Sequence, residues 1–331
     1  MESSGYFLVS LDYELQWGSF DKVVLDENKK RELDNTLELI TKILKQFGDN
    51  NIAATWAVVG MMFCKNKDEW EHNIPTTIPL YKNTALSPYQ YFQTIENIKE
   101  YEKYFFALDS INAIINTAKQ ELATHTYSHY YCLEQGQTIK NFKADLAKAK
   151  QLMEQQNCKI DSLILPRNQF NAAYNSVCKE LDIATIRTNP TSWYWKAGND
   201  NILRRIFRLL DTFNLFSYSK CIHLGFFNQQ NLRPYFLPAS RFFRSWKPNS
   251  KIVNHIKLLR IKLEMTYAAK HKKYYHIWWH PENFGNHPNE CLQELKSIVQ
   301  HYLMLQNKYD FKSVSMSEFG EIIKANNAHN S

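Results

Sequence analysis

Short apolar runs, several of them closing on a charged or imidazole side chain, alternate with amphipathic stretches, and this alternation constrains the fold more than anything else in the chain. Residues 6–11 form such a run, followed at once by Asp12 and Glu14. Residues 52–60 form a second, 121–124 lead into His125, 162–165 precede Arg167, 183–187 end on an arginine, and 274–279 lead into His280. A last short strand is expected at 311–314. Between the runs, residues 27–47 carry Leu33, Leu37, Ile40, Leu44 and Phe47 at helical spacing, with Gly48 as a stop. Residues 111–119, 137–155, 172–181 and 290–305 read as further helices. Buried strands joined by helices need crossover connections, which predicts a parallel α/β architecture, either a barrel or an open sheet. Residues 64–109 are polar and aromatic with several prolines, and 190–256 are irregular and rich in Trp, Phe and Arg. No internal repeat or linker interrupts the pattern, so residues 1–331 read as one domain with insertions at about 62–110 and 190–270.

Several function classes are excluded. Lys and Arg exceed Asp and Glu by 40 to 33, a net +7 that is mild for 331 residues and unlike the footprint of a dedicated nucleic-acid binder. Neither a dinucleotide fingerprint nor a P-loop occurs. The six cysteines contain no Cys-x-x-Cys pair, so free thiols are expected. The first residues lack a basic leader and no apolar stretch is long enough to span a membrane, which makes the cytoplasm the expected compartment.

Chemistry-bearing residues gather at the strand ends. Asp12 and Glu14 lie two apart, a spacing that puts both on one side if strand pairing continues. His125-Thr126-Tyr127-Ser128-His129 places two imidazoles four apart, as on one face of a helical turn, and such a pair suits zinc or another divalent transition metal. A carboxylate from another strand end completes a three-ligand set with an open position, the mark of a hydrolytic site. His280, stopped by Pro281, is placed to protonate a leaving group. His276, four residues earlier, reads as a packed structural histidine.

Together these motifs resemble the polysaccharide deacetylases, the NodB-homology group also called carbohydrate esterase family four. Ser10-Leu11-Asp12-Tyr13-Glu14 is similar to the family's first motif. His125 to His129 meets its His-Ser/Thr-x-x-His motif in full. Pro166-Arg167-Asn168-Gln169-Phe170 is similar to its arginine loop, and Ile277-Trp278-Trp279-His280 to its last strand. The resemblance implies a distorted (β/α) barrel of about seven parallel strands, NodB-like, with loop and helix insertions. It also implies a hydrolase that uses one divalent metal, zinc first, to remove an acetyl or formyl group from a sugar nitrogen. Carried over, His125, His129 and Glu14 are the expected metal ligands, Asp12 the general base, Arg167 its orienting partner and His280 the general acid. The family's two adjacent aspartates are separated here, so the division of base and ligand between Asp12 and Glu14 stays open. Trp17, Asn168 and Trp279 are the expected substrate contacts, with Trp193 and Trp195 as further stacking platforms.

A cytoplasmic member would meet nucleotide-linked or lipid-linked N-acyl sugars in surface-polysaccharide or lipopolysaccharide assembly, with peripheral contact at the inner membrane face in the lipid case. Residues 201–216, with Arg204, Arg205, Arg208 and Leu215, and a later stretch with Arg233, Arg241 and Arg244 are the candidate surface for a phosphate or a membrane. The alternative, kept open by Tyr13 and Glu14, is a carbohydrate-binding relative without turnover.

Overall fold

The computed structural model describes residues 4–195, 201–214, 217–230 and 232–330. Its centre is a curled, mostly parallel sheet. The principal strands are β1 (Tyr6–Tyr13), β2 (Ala54–Val58), β3 (Gln120–Thr124), β4 (Ser162–Ile164) and β5 (Thr185–Thr188). After the short β6 (Ile222–His223) come β7 (Tyr235–Pro238), β8 (Arg241–Phe242), β9 (Lys273–Trp279) and β10 (Lys312–Ser313). The order across the sheet is β6-β9-β1-β2-β3-β4-β5-β7, with β8 on β9 and β10 on β1. Every pairing is parallel except β6 with β9. Seven longer parallel strands therefore curl into the expected distorted barrel, with no ladder joining β7 to β9 among the described residues.

The helices are α1 (Glu27–Asp49), α2 (Lys67–His72), α3 (Pro88–Gln93), α4 (Leu108–Ile115), α5 (Ile139–Gln155), α6 (Asn175–Glu180), α7 (Ile202–Phe213), α8 (Lys251–Lys270), α9 (Pro288–Tyr309) and α10 (Met316–Asn330). Local chemistry explains their starts: the Asp26 carboxylate accepts from Lys29 N–H at 2.8 Å at the head of α1, and Thr138 does the same for Asn141 at 3.2 Å in α5. The stretch taken from sequence as an insertion near 190–270 contributes β7 and β8 to the sheet and α8 to the layer around it.

Strand parity organises the core. On β1, Phe7, Val9, Leu11 and Tyr13 face the surrounding helices and join the large cluster that includes Leu33, Ile40 and Phe47 of α1. Tyr6 and Leu8 face the barrel interior, where they meet Ala57, Ala123, Ile164, Leu237 and Tyr274, plugged from below by Met316, Phe319 and Ile323 of α10. Ser10 and Asp12 continue the same inward row toward the C-terminal rim. The interior thus changes from apolar to ionic along its axis. No helix among the described residues is long and apolar enough to cross a membrane, and all six cysteines are free.

Candidate active site

Register brings the strand ends to one height: Leu11 pairs with Trp279, Asp12 with Ala57, Val58 with Thr124 and Ile164 with Arg187. In a parallel barrel this rim is where reactive groups gather. Asp12 is buried and held by two parallel bonds, Arg187 Nη1 to Oδ1 and Nη2 to Oδ2, both 2.6 Å. Arg187 comes from β5, which β2, β3 and β4 separate from β1, so its side chain spans the curled sheet. Its remaining bonds go to Ser10 Oγ (3.0 Å) and Asn168 Oδ1 (3.0 Å), and its guanidinium lies 4.3 Å over the Trp278 ring.

The partner expected for Asp12 was Arg167, and here the structure corrects the sequence. Arg167 pairs instead with Asp21 at 2.5 Å and stacks on Tyr131 at 4.4 Å. The missed residue, Arg187, carried the same signal as Asp12 and His280, a charge at the exit of an apolar strand. Asn168 does reach the site, but as an acceptor for Arg187.

Glu14 follows β1 and caps a short 3-10 turn (Leu15–Gly18). Its Oε1 lies 2.8 Å from His125 Nε2 and 3.2 Å from His129 Nε2. Gly18 makes the room: a Cβ there would sit 1.8 Å from Glu14 Oε2. Glu282 accepts from the N–H groups of Glu14 (2.9 Å) and Leu15 (2.5 Å), fixing the backbone of the turn. Burial opposes ionisation of Glu14, but the His280, His129 and His125 imidazoles outweigh it and hold its pKa well below the usual value. Burial pushes the His129 pKa down, favouring a neutral imidazole.

The two histidines do not share a helical turn. They sit in a tight loop after β3 in which Thr126 (φ 66) and His129 (φ 54) are left-handed, a conformation that costs energy for a β-branched threonine. The surroundings hold it. Asp145 of α5 accepts from Tyr127 N–H at 2.7 Å and from the Ser128 N–H and hydroxyl. Thr126 Oγ1 accepts from Tyr130 N–H at 2.7 Å, and its carbonyl accepts from Gly60 N–H at 2.8 Å. Gly60 permits that approach, since a Cβ would meet Tyr127 Cα at 2.8 Å.

His280 lies 28% exposed, its Nε2 3.7 Å from both Asp12 Oδ2 and Glu14 Oε1. His276 is packed, between Ser10 Oγ (2.8 Å) and Tyr274 hydroxyl (2.7 Å), and burial followed by Arg187 depresses its pKa strongly. Two expected substrate contacts are overturned. Trp17 is fully buried against Phe92 and Phe105, with its N–H on the Phe105 carbonyl. Trp279 is fully buried, stacked on Phe284. Parity explains the second: Trp278, two before His280, shares its side and lines the cleft beside it, whereas Trp279 faces the helices. Trp195 lines the same cleft, and Trp193 is 46% exposed. Of the expected basic surface, Arg205, Arg208 and Arg244 line the cleft, Arg241 is buried on Glu264, Arg233 pairs with Glu321, and Leu215 lies outside the described residues.

Glu14, His125 and His129 present one ligand atom each within 4.8 Å of one another. The fit to a cation is carried by His125. Its Nε2 is buried 2.8 Å from Glu14 Oε1 without being aligned as a hydrogen bond, a nitrogen left for an ion to engage. Nδ1 of His129 is engaged by Tyr131 hydroxyl at 3.0 Å, which orients Nε2 toward the same point. Two nitrogens and one carboxylate oxygen suit zinc or a similar divalent ion.

With the geometry in view, solved structures provide the comparison. A protein assigned as a polysaccharide deacetylase from Mycobacterium smegmatis superposes with a TM-score of 0.61 at 11% identity, over 98% of this chain and 92% of that one. Another so assigned, from Pseudomonas aeruginosa PAO1, gives 0.54 at 9% identity, over 96% and 89%. The chain has the polysaccharide-deacetylase fold. A GH57-type branching enzyme from Pyrococcus horikoshii also aligns, at 0.51 and 11% identity over 95% of this chain and 69% of that one, so the deacetylase fold is shared with other glycan chemistry. No protein-family model matches the sequence, and no curated protein matches it.

Proposed function

We propose that this protein is a metal-dependent hydrolase that removes an N-acyl group, acetyl or formyl, from a sugar. One observation carries the reading: a Glu14–His125–His129 cluster lies within reach of both an arginine-held carboxylate, Asp12, and a partly exposed imidazole, His280. Glu14, His125 and His129 would hold the ion, which when bound polarises the acyl carbonyl and acidifies water. Asp12, kept in place by Arg187, accepts a proton from the attacking water. His280 Nε2 protonates the amine nitrogen as the C–N bond breaks, giving a free carboxylic acid and an amino sugar. The 3.7 Å separations let Asp12 and His280 flank one reacting centre.

The test joins elemental analysis with acid release. Close to one divalent ion per chain, and acetate or formate release from N-acyl sugars of the kind used in bacterial surface-polysaccharide assembly, are expected. A protein that retains and rebinds no metal would sink the proposal and favour a carbohydrate-binding role.

A further inference from the structure

Beside His280 lies more positive charge than deacylation requires. A cleft of about 530 Å³ separates α7 from the barrel rim. Ile202, Arg205, Ile206 and Leu209 line it from α7 at i, i+3, i+4 and i+7, one helix face, with Arg208 beside them. Phe242, Arg244 and Trp278 line it from the rim. Three arginines therefore line one cleft, and its described lining residues include no carboxylate. Asp211, the acid of α7, is occupied by Lys220 and lies 3.4 Å from Arg241. Burial, then the like charges of Arg208 and Arg241, push the Arg244 pKa down, a crowding that a bound anion relieves.

We propose that this cleft binds a phosphoryl group carried by the substrate sugar, with Arg205, Arg208 and Arg244 as donors and His280 marking the sugar end. The inference rests on the deacylase reading and names its substrate class. Guanidinium forks match phosphate oxygens in geometry as well as charge. The wall of Ile202, Ile206 and Leu209 suits an organic group continuing beyond the phosphate, either a nucleoside or an isoprenoid chain.

Binding to the metal-loaded protein tests it, followed by tryptophan fluorescence because Trp195 and Trp278 line the cleft. N-acetylglucosamine 1-phosphate should bind at least about tenfold tighter than the methyl glycoside of the same sugar, with the difference shrinking as salt rises. That preference should fall about tenfold in Arg205→Ala and in Arg244→Ala. Arg205 is exposed, so its variant keeps the test decisive even if Arg244→Ala, which loses a 3.2 Å bond to Thr212, disturbs the fold. Equal binding of the two ligands, or a preference unchanged in Arg205→Ala because the ion alone holds the phosphate, would overturn the proposal. Uridine-diphosphate and farnesyl-phosphate forms of the sugar separate the sources, since the tighter one identifies what lies beyond the phosphate. Arginine-dependent preference without acid release from any of these ligands would uphold the anion site and count against the deacylase reading. Acid release without preference would do the reverse.

Discussion

Asp12 and Arg187 form a buried charge pair, and such pairs are costly to break because the survivor is left unpaired in a poor solvent for charge. Arg187→Ala should lower stability by roughly 3–5 kcal/mol in denaturant titrations and reduce turnover far more than Arg167→Ala, whose guanidinium pairs with Asp21 rather than with Asp12. His125→Ala and His129→Ala should each lose the ion while far-UV circular dichroism persists. His280→Ala should keep it yet lose roughly 10²–10⁴ in kcat; a fully active His280→Ala would remove the proposed acid. Gly18→Ala should weaken metal retention with little change in fold, because its methyl group would displace the Glu14 carboxylate. A pH signature belongs to Asp145. Burial raises its pKa from 3.8 to about 7 against the pull of its three donors. A carboxyl raised on folding contributes stability below its unfolded pKa and loses it as pH climbs through the folded value. The stability advantage of wild type over Asp145→Asn should therefore be greatest near pH 4 and shrink toward pH 7. An advantage that grows over that range would refute the assignment.

Among the elements, what the sequence revealed depended on whether burial and hydrophobicity coincided. β1, β2, α1, α5 and α9 bury apolar faces, and their periodicity showed them within a few residues. α8 did not show, because its buried face includes Asn254, Lys257, Arg260 and Glu264 as well as Ile261 and Met265. Ion pairs with Glu294 (2.6 Å) and Arg241 (2.5 Å) stand where an apolar stripe would be. β7 was hidden in an aromatic stretch, and α10 has too weak a stripe to stand out. The site was legible where a motif was local, as at His125 and His129. It was illegible where two distant strands met: nothing in the spacing of Asp12 and Arg187 says that the sheet curls enough to join them. Asp145 was missed because a lone acid on a helix usually faces water, whereas this one holds the histidine loop. Replacing it should loosen that loop before it unfolds α5, seen as faster amide exchange at residues 125–130 while residues 139–155 stay protected.

Across the whole molecule, the apolar floor and the ionic rim of the barrel are separable. Phe319 packs beneath Tyr6 and Tyr274 on the floor, so Phe319→Ala should cost about 3–5 kcal/mol by leaving a cavity. Metal stoichiometry per folded chain should not change. The rim is different, since the strut from β5 to β1 is also the proposed base and its clamp. With the proposed base and its clamp built into that strut, no loose site is left to be lost first. In a denaturant series, activity and tertiary structure should fade at the same concentration, because the crossbar that braces the barrel mouth is also the proposed base and its clamp.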